Sequence, residues 1–328
     1  MAVPWSAPRR VLSYRGPAMT DVAMVIPTLD RASLLRSAIA SALKCVPAPK
    51  EIVVVDCGST DGTRCVVRSF GDDVELVERP LPNVASARNM GLRSTRSPYV
   101  AFLDSDDVAL PAKTGGLAAS LDASPGTALV HGAMEIITGD GLPSPGATAQ
   151  YAQDRRKGKE FGTTYASLAS FCSMYTSATM VRRSAFEEVG GYDESLDAYE
   201  DWDLYLRLSL VGGLAYDEVQ ACRYRVWGGN VPWDRTARGV VAVARKHLEM
   251  LAHVPAGMRH DAELGFRIRL AGSLYTLIEL QSARLEALAS LRLSPSVILS
   301  SPEVRRALMR SFLPASMLER RRPPRSVS

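Results

Sequence analysis

Apolar residues along this chain fall into short runs that alternate with stretches of helical spacing. Ala23-Met24-Val25-Ile26 predicts a buried strand, and Leu34, Leu35, Ala38, Ile39 and Leu43 then recur at helical intervals. Ile52-Val53-Val54-Val55 predicts a second strand, 63–70 a short helix, 74–77 a third strand, and 84–92 a helix capped by Asn83. Tyr99-Val100-Ala101-Phe102-Leu103 predicts a fourth strand. This alternation indicates βαβ units: an α/β, Rossmann-like, mostly parallel sheet covered by helices on both faces.

Beyond Pro111 the pattern predicts a helix and then a strand at 128–130. Residues 138–149 are rich in Gly and Pro and lead into Arg155-Arg156-Lys157-Gly158-Lys159, which predicts a long loop, either a lid or a solvated excursion. Ordered structure resumes at 177–181, and 199–210 predicts a helix. Past Trp233 the chain is helical. Leu264, Ile268, Ala271, Tyr275, Ile278 and Leu285, flanked by Leu274, Leu277 and Leu288, form a stripe that reads as core packing. The expected organisation is a disordered extension over 1–20 with Met19 as a candidate start, an α/β domain over 21–230 (halves 21–110 and 111–230), and a C-terminal helical region with a basic tail over 231–328.

Composition narrows the class. The chain has 328 residues, 46% hydrophobic and 23% charged, with a formal net charge of +4. That places it with folded proteins and gives no electrostatic case for nucleic acid. Five dispersed cysteines without a CxxC read as reduced thiols of a cytoplasmic protein. No run approaches the roughly 18 apolar residues of a membrane span, and there is no apolar signal core. Near the C-terminus, Val304, Leu308, Phe312 and Leu313 alternate with Arg305, Arg306 and Arg310, before Glu319-Arg320-Arg321-Arg322-Pro323-Pro324-Arg325. A basic amphipathic helix with such a tail fits an anionic membrane surface; a domain-closing helix is the alternative.

The chemistry sits at strand ends. Asp104-Ser105-Asp106-Asp107 follows the fourth strand, where ligands of open α/β sheets collect. On an extended segment Asp104 and Asp106 would share one side and converge on a hard cation, with oxygen ligands shared with a phosphate group. A second acidic group, Glu200-Asp201-Trp202-Asp203, opens a predicted helix, whose dipole favours acids. Asp56, before a Gly-Ser-Thr turn, is placed to accept a base N–H, while an Asx turn explains the same residues. Arg88, early in its helix, suits a diphosphate.

Val25-Ile26-Pro27-Thr28-Leu29-Asp30-Arg31, Val54-Val55-Asp56-Cys57-Gly58-Ser59-Thr60-Asp61-Gly62-Thr63, Ala85-Ser86-Ala87-Arg88-Asn89-Met90-Gly91, Leu103-Asp104-Ser105-Asp106-Asp107 and Tyr199-Glu200-Asp201-Trp202-Asp203 occur in this order. Together they resemble glycosyltransferase family 2, the inverting enzymes of GT-A fold, over about 23–230. The resemblance implies a nucleotide-sugar site of Pro27, Thr28, Asp30, Asp56, Arg88 and Asp104. It also implies a divalent metal, Mn²⁺ or Mg²⁺, on Asp106 with Asp107 as an accessory ligand. Asp201 is the implied general base, because the family's acidic pair corresponds to Glu200-Asp201, and Glu200 and Asp203 are its competitors. Trp202 is a candidate floor for the acceptor, with a packed core position as its alternative. Many members carry a histidine near the metal in a segment like Tyr224-Arg225-Val226-Trp227-Gly228-Gly229-Asn230. Here Trp227 takes that place, which implies either fewer metal ligands or an aromatic lid.

The expected activity is inverting transfer of a sugar, from a UDP or dTDP sugar, to a hydroxyl on a glycan or lipid-linked acceptor in cell-envelope synthesis. The expected location is the cytoplasm, peripheral to the membrane if the tail docks. Two alternatives stand beside it. A sugar nucleotidyltransferase would open with a Gly-rich loop after the first strand, which Pro27-Thr28-Leu29-Asp30 is not; a non-catalytic binding relative would not need Asp106, Arg88 and Asp201 together.

Overall fold

A computed structural model of the chain describes residues 21–79, 83–160, 164–227 and 233–310, with side chains except at 155–160 and 310. The first part alternates as expected: β1 (Val22–Thr28), α1 (Ala32–Ala42), β2 (Glu51–Asp56), α2 (Thr63–Arg68), β3 (Glu75–Glu78), α3 (Val84–Ser94) and β4 (Tyr99–Phe102). β1 pairs in parallel with both β2 and β4, and β2 with β3, so four carboxyl ends open on one edge. Asn83 caps α3 by accepting from Ser86 N–H at 3.0 Å.

The second part holds β5 (Val108–Ala109), α4 (Lys113–Ala123), β6 (Thr127–Thr138), α5 (Pro145–Glu160), α6 (Tyr165–Ser170), β7 (Thr179–Arg182), α7 (Arg183–Glu188), α8 (Glu200–Val211) and β8 (Gly213–Val226). All eight strands form one sheet in the order β3-β2-β1-β4-β7-β6-β8-β5, with β7 antiparallel to both its neighbours. Two expectations are corrected. The 14-residue β8 was not legible, because its buried Leu214, Ala221 and Cys222 are scattered among half-buried and exposed residues and form no long apolar run. The basic stretch predicted as a long loop lies on α5; only a tight turn at 139–142 precedes it, and Pro145 starts the helix, where a missing N–H costs nothing.

The remaining helices are α9 (Trp233–Glu249), α10 (Ala256–Thr276), α11 (Leu280–Leu293), α12 (Val297–Ser300) and α13 (Pro302–Arg310). The predicted stripe is broken where Ile278 takes a left-handed φ of 65° between α10 and α11. Ala262, Phe266, Leu270, Ala271 and Leu274 face inward, whereas Leu285 and Leu288 face solvent. These helices have no separate core: Phe266, Leu270 and Val304 share one apolar cluster with Val25, Phe102 and Trp202. Val304 and Ala307 of α13 are fully buried and Leu308 packs against that cluster, so this part of the C-terminal apolar face closes the fold. The 1–20 extension, Phe312, Leu313, the arginine-rich tail and Gly228-Gly229-Asn230 lie outside the described residues. Among the described residues, no helix is long and apolar enough to cross a membrane.

Candidate active site

β1, β2 and β4 deliver their loops to one edge. At the end of β1, Pro27 and Thr28 are buried, and among the described residues the Thr28 hydroxyl has no hydrogen-bond partner. Asp30, at a left-handed φ of 49°, accepts from Thr60 N–H at 2.7 Å, while its own N–H donates to Ser59 Oγ at 2.9 Å. Its carboxylate therefore staples the β1 loop to the β2 loop. Asp56 is fully buried; Oδ1 accepts from Ser59 N–H at 2.8 Å and Oδ2 from Arg64 Nε at 2.9 Å. Burial alone would raise its pKa, but hydrogen bonds from Ser59, Arg64 and Gly58 outweigh that and hold the carboxyl below its ordinary value. The expected Asx turn thus forms, with Arg64 closing over it, a residue that no motif signalled.

Residues 104–107 turn, with Asp107 N–H donating to Asp104 O at 3.0 Å, so the period-two expectation for Asp104 and Asp106 is corrected. The three carboxylates face different partners. Asp104 Oδ1 accepts from Arg88 at 2.8 Å, and Asp106 Oδ2 from Trp227 Nε1 at 2.9 Å. Asp107 is buried; Oδ1 accepts from Arg225 N–H at 2.7 Å, and among the described residues Oδ2 has no hydrogen-bond partner. Burial, then the neighbouring Asp104, pushes the Asp107 carboxyl up to about 8. The guanidinium groups of Arg31 and Arg225 lie 5.4 and 5.9 Å from the centroid of the Trp227 ring, whose N–H holds Asp106 directly. Beneath the turn, Ser177 Oγ accepts from Asp104 N–H at 2.9 Å. The fully buried Lys113 donates to Phe102 O and Ser177 O, both at 2.6 Å. Neither residue was legible, since a lysine opening a helix ordinarily faces water.

Arg88 joins this turn to the acidic helix. One terminal nitrogen donates to Asp104 Oδ1 and the other to Glu200 Oε1 at 2.7 Å, and its plane lies 5.4 Å over the Tyr192 ring. Its terminal nitrogens are thus taken by carboxylates, where the sequence suggested a diphosphate. Arg88 can sit so deep because α3 presses on the sheet at Gly91: a Cβ there would lie 2.4 Å from Val25 Cγ1.

α8 begins abruptly. Tyr199 adopts φ 62°, a left-handed conformation that costs a bulky residue about 1–3 kcal/mol, and turns the chain into the helix. Glu200 is buried on Arg88. Asp201 is half-buried; Oδ1 accepts from Trp202 N–H at 2.7 Å, and no described residue donates to Oδ2. Burial first and the charge of Glu200 second raise the Asp201 carboxyl to about 7, against the opposing pull of Arg88. Trp202 is 1% exposed and donates from Nε1 to Leu168 O at 2.9 Å, so it is a core residue and no acceptor floor. Asp203 is also sealed: Arg207 donates to it at 2.6 Å, Lys246 at 2.6 Å, and His247 Nε2 lies 3.0 Å away. A carboxylate so enclosed cannot reach a substrate, which removes Asp203 as a competitor for the base.

Among the described residues, no group of three or more His, Cys, Asp or Glu side chains converges as a metal cage. The hard-oxygen donors are nonetheless suitable in kind. The bare buried Oδ2 of Asp107 and the partly exposed Asp106 fit a cation that takes its other ligands from a diphosphate.

Residues 23–190 match the family model described as Glycosyl transferase family 2, and the chain belongs to that family. It is 31% identical to the succinoglycan biosynthesis protein ExoU of Rhizobium meliloti over 63% of this chain and 62% of that one. It is likewise 31% identical to the pre-mycofactocin glycosyltransferase of Mycobacterium tuberculosis, over 62% and 42%. The chain thus spans less than two thirds of the length of these relatives. The fold is of GT-A type. It superposes on S. aureus TarS 1-349 in complex with UDP-GlcNAc with a TM-score of 0.58, covering 88% and 83% at 16% identity. The mannosyltransferase PcManGT of Pyrobaculum calidifontis, in complex with GDP-Man and Mn²⁺, gives 0.54 over 91% and 86% at 20% identity.

Proposed function

We propose that this protein is an inverting, metal-dependent glycosyltransferase that moves a sugar from a nucleotide-diphosphate donor to a hydroxyl acceptor in cell-envelope glycan, glycolipid or polysaccharide synthesis. The observation that carries the reading is Arg88, which fastens the Asp104 turn to the helix of Asp201 and so sets donor-side and acceptor-side acids on one edge. Asp201, half-buried with a free oxygen and a carboxyl raised to about 7, suits a base that takes the acceptor proton during in-line attack. Asp106 and Asp107 would hold Mn²⁺ or Mg²⁺. When bound, the metal neutralises the charge that builds on the leaving diphosphate. Asp56 as an acceptor favours uracil or thymine N3–H, with Arg64 drawn aside, and hence UDP or dTDP sugars.

The relatives' names support glycan synthesis, and the nucleotide-sugar complexes of TarS and PcManGT support the donor class. Peripheral attachment at the cytoplasmic face of a membrane fits Leu299 and Met309, 81% and 75% exposed beside the basic residues of α13. The test is turnover of a panel of UDP, dTDP and GDP sugars with Mn²⁺, scoring the anomeric configuration of the product by NMR. Inverted product from a UDP or dTDP sugar is expected; retained configuration would end the inverting assignment.

A further inference from the structure

The end of β1 places a cation beside the acidic turn. Asp30 N–H donates to Ser59 Oγ at 2.9 Å, and Ser59 N–H donates to Asp56 Oδ1 at 2.8 Å. One serine thus ties the carboxylate assigned to the base to the residue before Arg31. The backbone of Arg31 is pinned in turn, its N–H donating to Thr63 Oγ1 at 3.3 Å. Its guanidinium lies 5.4 Å from the centroid of the Trp227 ring and 4.0 Å from Asp106 Oδ2. Trp227 is itself fixed, by its N–H on Asp106 Oδ2 at 2.9 Å and by Gly139, where a Cβ would lie 3.0 Å from Trp227 Cε3. Arg31 is therefore anchored at its backbone to the loop that follows Asp56 and at its guanidinium beside Asp106.

The other arginines described on this edge are already engaged. Arg64 donates to Asp56 and lies 3.7 Å from Glu78, and Arg88 forks between Asp104 and Glu200. Arg225 donates to the Asp106, Thr138 and Gly139 carbonyls. The Arg31 guanidinium makes no hydrogen bond to any described residue, and its side chain is 43% exposed. At 4.0 Å the contact with Asp106 is an ion pair without a hydrogen bond, of a kind that contributes little where it faces water. The indole holds the guanidinium in place without using its N–H donors, which are all open to an anion.

A donor diphosphate has to span from the base to the cation, and Arg31 reaches from one to the other. We infer that Arg31, seated on Trp227, binds the diphosphate of the nucleotide sugar. The sequence suggested Arg88 for that role, and its two carboxylate partners preclude it. The inference rests on the nucleotide-sugar reading above and goes beyond it by naming the arginine that meets the donor's charge. Guanidinium pairs with phosphate oxygens through forked, charge-assisted hydrogen bonds. Diphosphate oxygens shared between Arg31 and a cation on Asp106 also offset the repulsion between those two positive groups.

The test is calorimetric, with the full chain in Mg²⁺ and with UDP, uridine and inorganic pyrophosphate as probes. Arg31→Gln should weaken UDP and pyrophosphate by about tenfold or more, the scale of a lost hydrogen bond to a charged group, with uridine unchanged. Arg31→Lys keeps the charge and should recover part of that loss. UDP binding unchanged in Arg31→Gln, or UDP and uridine weakened alike, would overturn the proposal. Failure of the wild-type chain to bind UDP would instead count against the donor reading. Pyrophosphate then decides the role of Arg31 alone: binding lost in Arg31→Gln supports it, and binding equal in both chains, or absent from both, ends it.

Discussion

Arg88 Nη1 lies 2.7 Å from Glu200 Oε1, across 112 residues of chain, in a contact where both side chains are almost wholly enclosed. Removing one partner of such a pair leaves a buried charge uncompensated, at a cost of about 3–5 kcal/mol. Arg88→Met should therefore lower the urea midpoint sharply and abolish turnover. Arg88→Lys should recover stability in part but not activity, because an ammonium cannot fork to Asp104 and Glu200 at once. A stable, active Arg88→Lys would show that the bridge is dispensable.

Asp201→Asn keeps the shape of the side chain and removes its capacity to take a proton. Nucleotide binding should be unchanged, with transfer lower by about 100-fold or more. Since the carboxyl is raised to about 7, wild-type transfer should fall on the acid side of about pH 7, as the base becomes protonated. Glu200→Gln removes the like charge beside it and should move that acid limb to lower pH. A limb that stays near pH 7 in Glu200→Gln would assign it to another group.

The donor side should be metal-linked. UDP or dTDP is expected to raise Tm only with Mn²⁺ or Mg²⁺, and Asp106→Ala should lose the metal-dependent part. Equal stabilisation by nucleotide in excess chelator would remove the metal from the reading.

His247 packs Nδ1 against the Tyr165 hydroxyl at 2.9 Å and Nε2 against Asp203. Burial lowers its pKa more than Asp203 raises it, so the folded protein holds it neutral while the unfolded chain takes up a proton near pH 6.5. Its contribution to stability is full above about pH 6.5 and declines as pH falls below that. Asp203 has its pKa depressed, so its contribution persists above about pH 4 and is lost only in stronger acid. Urea midpoints measured from pH 8 to 4 should show the upper step in wild type and lose it in His247→Gln. The raised Asp107 and Asp201 carboxyls act in the opposite sense over the same window, so the difference between the two profiles isolates the histidine. Wild-type and His247→Gln profiles that run parallel across pH 6.5 would contradict the neutral histidine.

Membrane attachment has its own measure. Truncation at residue 313 and the pair Leu299→Ser with Met309→Ser should each weaken co-sedimentation with anionic vesicles, leaving UDP binding intact. No sedimentation of the full chain at low salt would dismiss the attachment.

The strands that carry the donor loops were readable because each is a continuous apolar run ending in a polar turn; β1, β2 and β4 fall where Ala23-Met24-Val25-Ile26, Ile52-Val53-Val54-Val55 and Tyr99-Val100-Ala101-Phe102 stand. β8 was not, since half-exposed Tyr216, Asp217 and Gln220 carry no apolar signal. The acidic groups were visible as motifs, but their partners were not. Lys113 and Arg64 reach the site from separate elements, and the alternation of apolar and polar positions says nothing about which exposed-looking cation the fold will turn onto it. Asp203 shows the same limit from the other side: its spacing from Asp201 is that of a solvated helix acid, and only the packing of α9 reveals it as sealed.

The α10 helix begins some 65 residues after the segment that the family model matches, yet its Phe266 and Leu270 share one apolar cluster with Trp202, next in the chain to Asp201. The packing around the acidic helix is thus completed by a stretch of the chain that the family model does not cover. Two chains could share every strand and the same acidic turn, and still differ in how firmly the acidic helix is seated, through a single helix near the end of the chain.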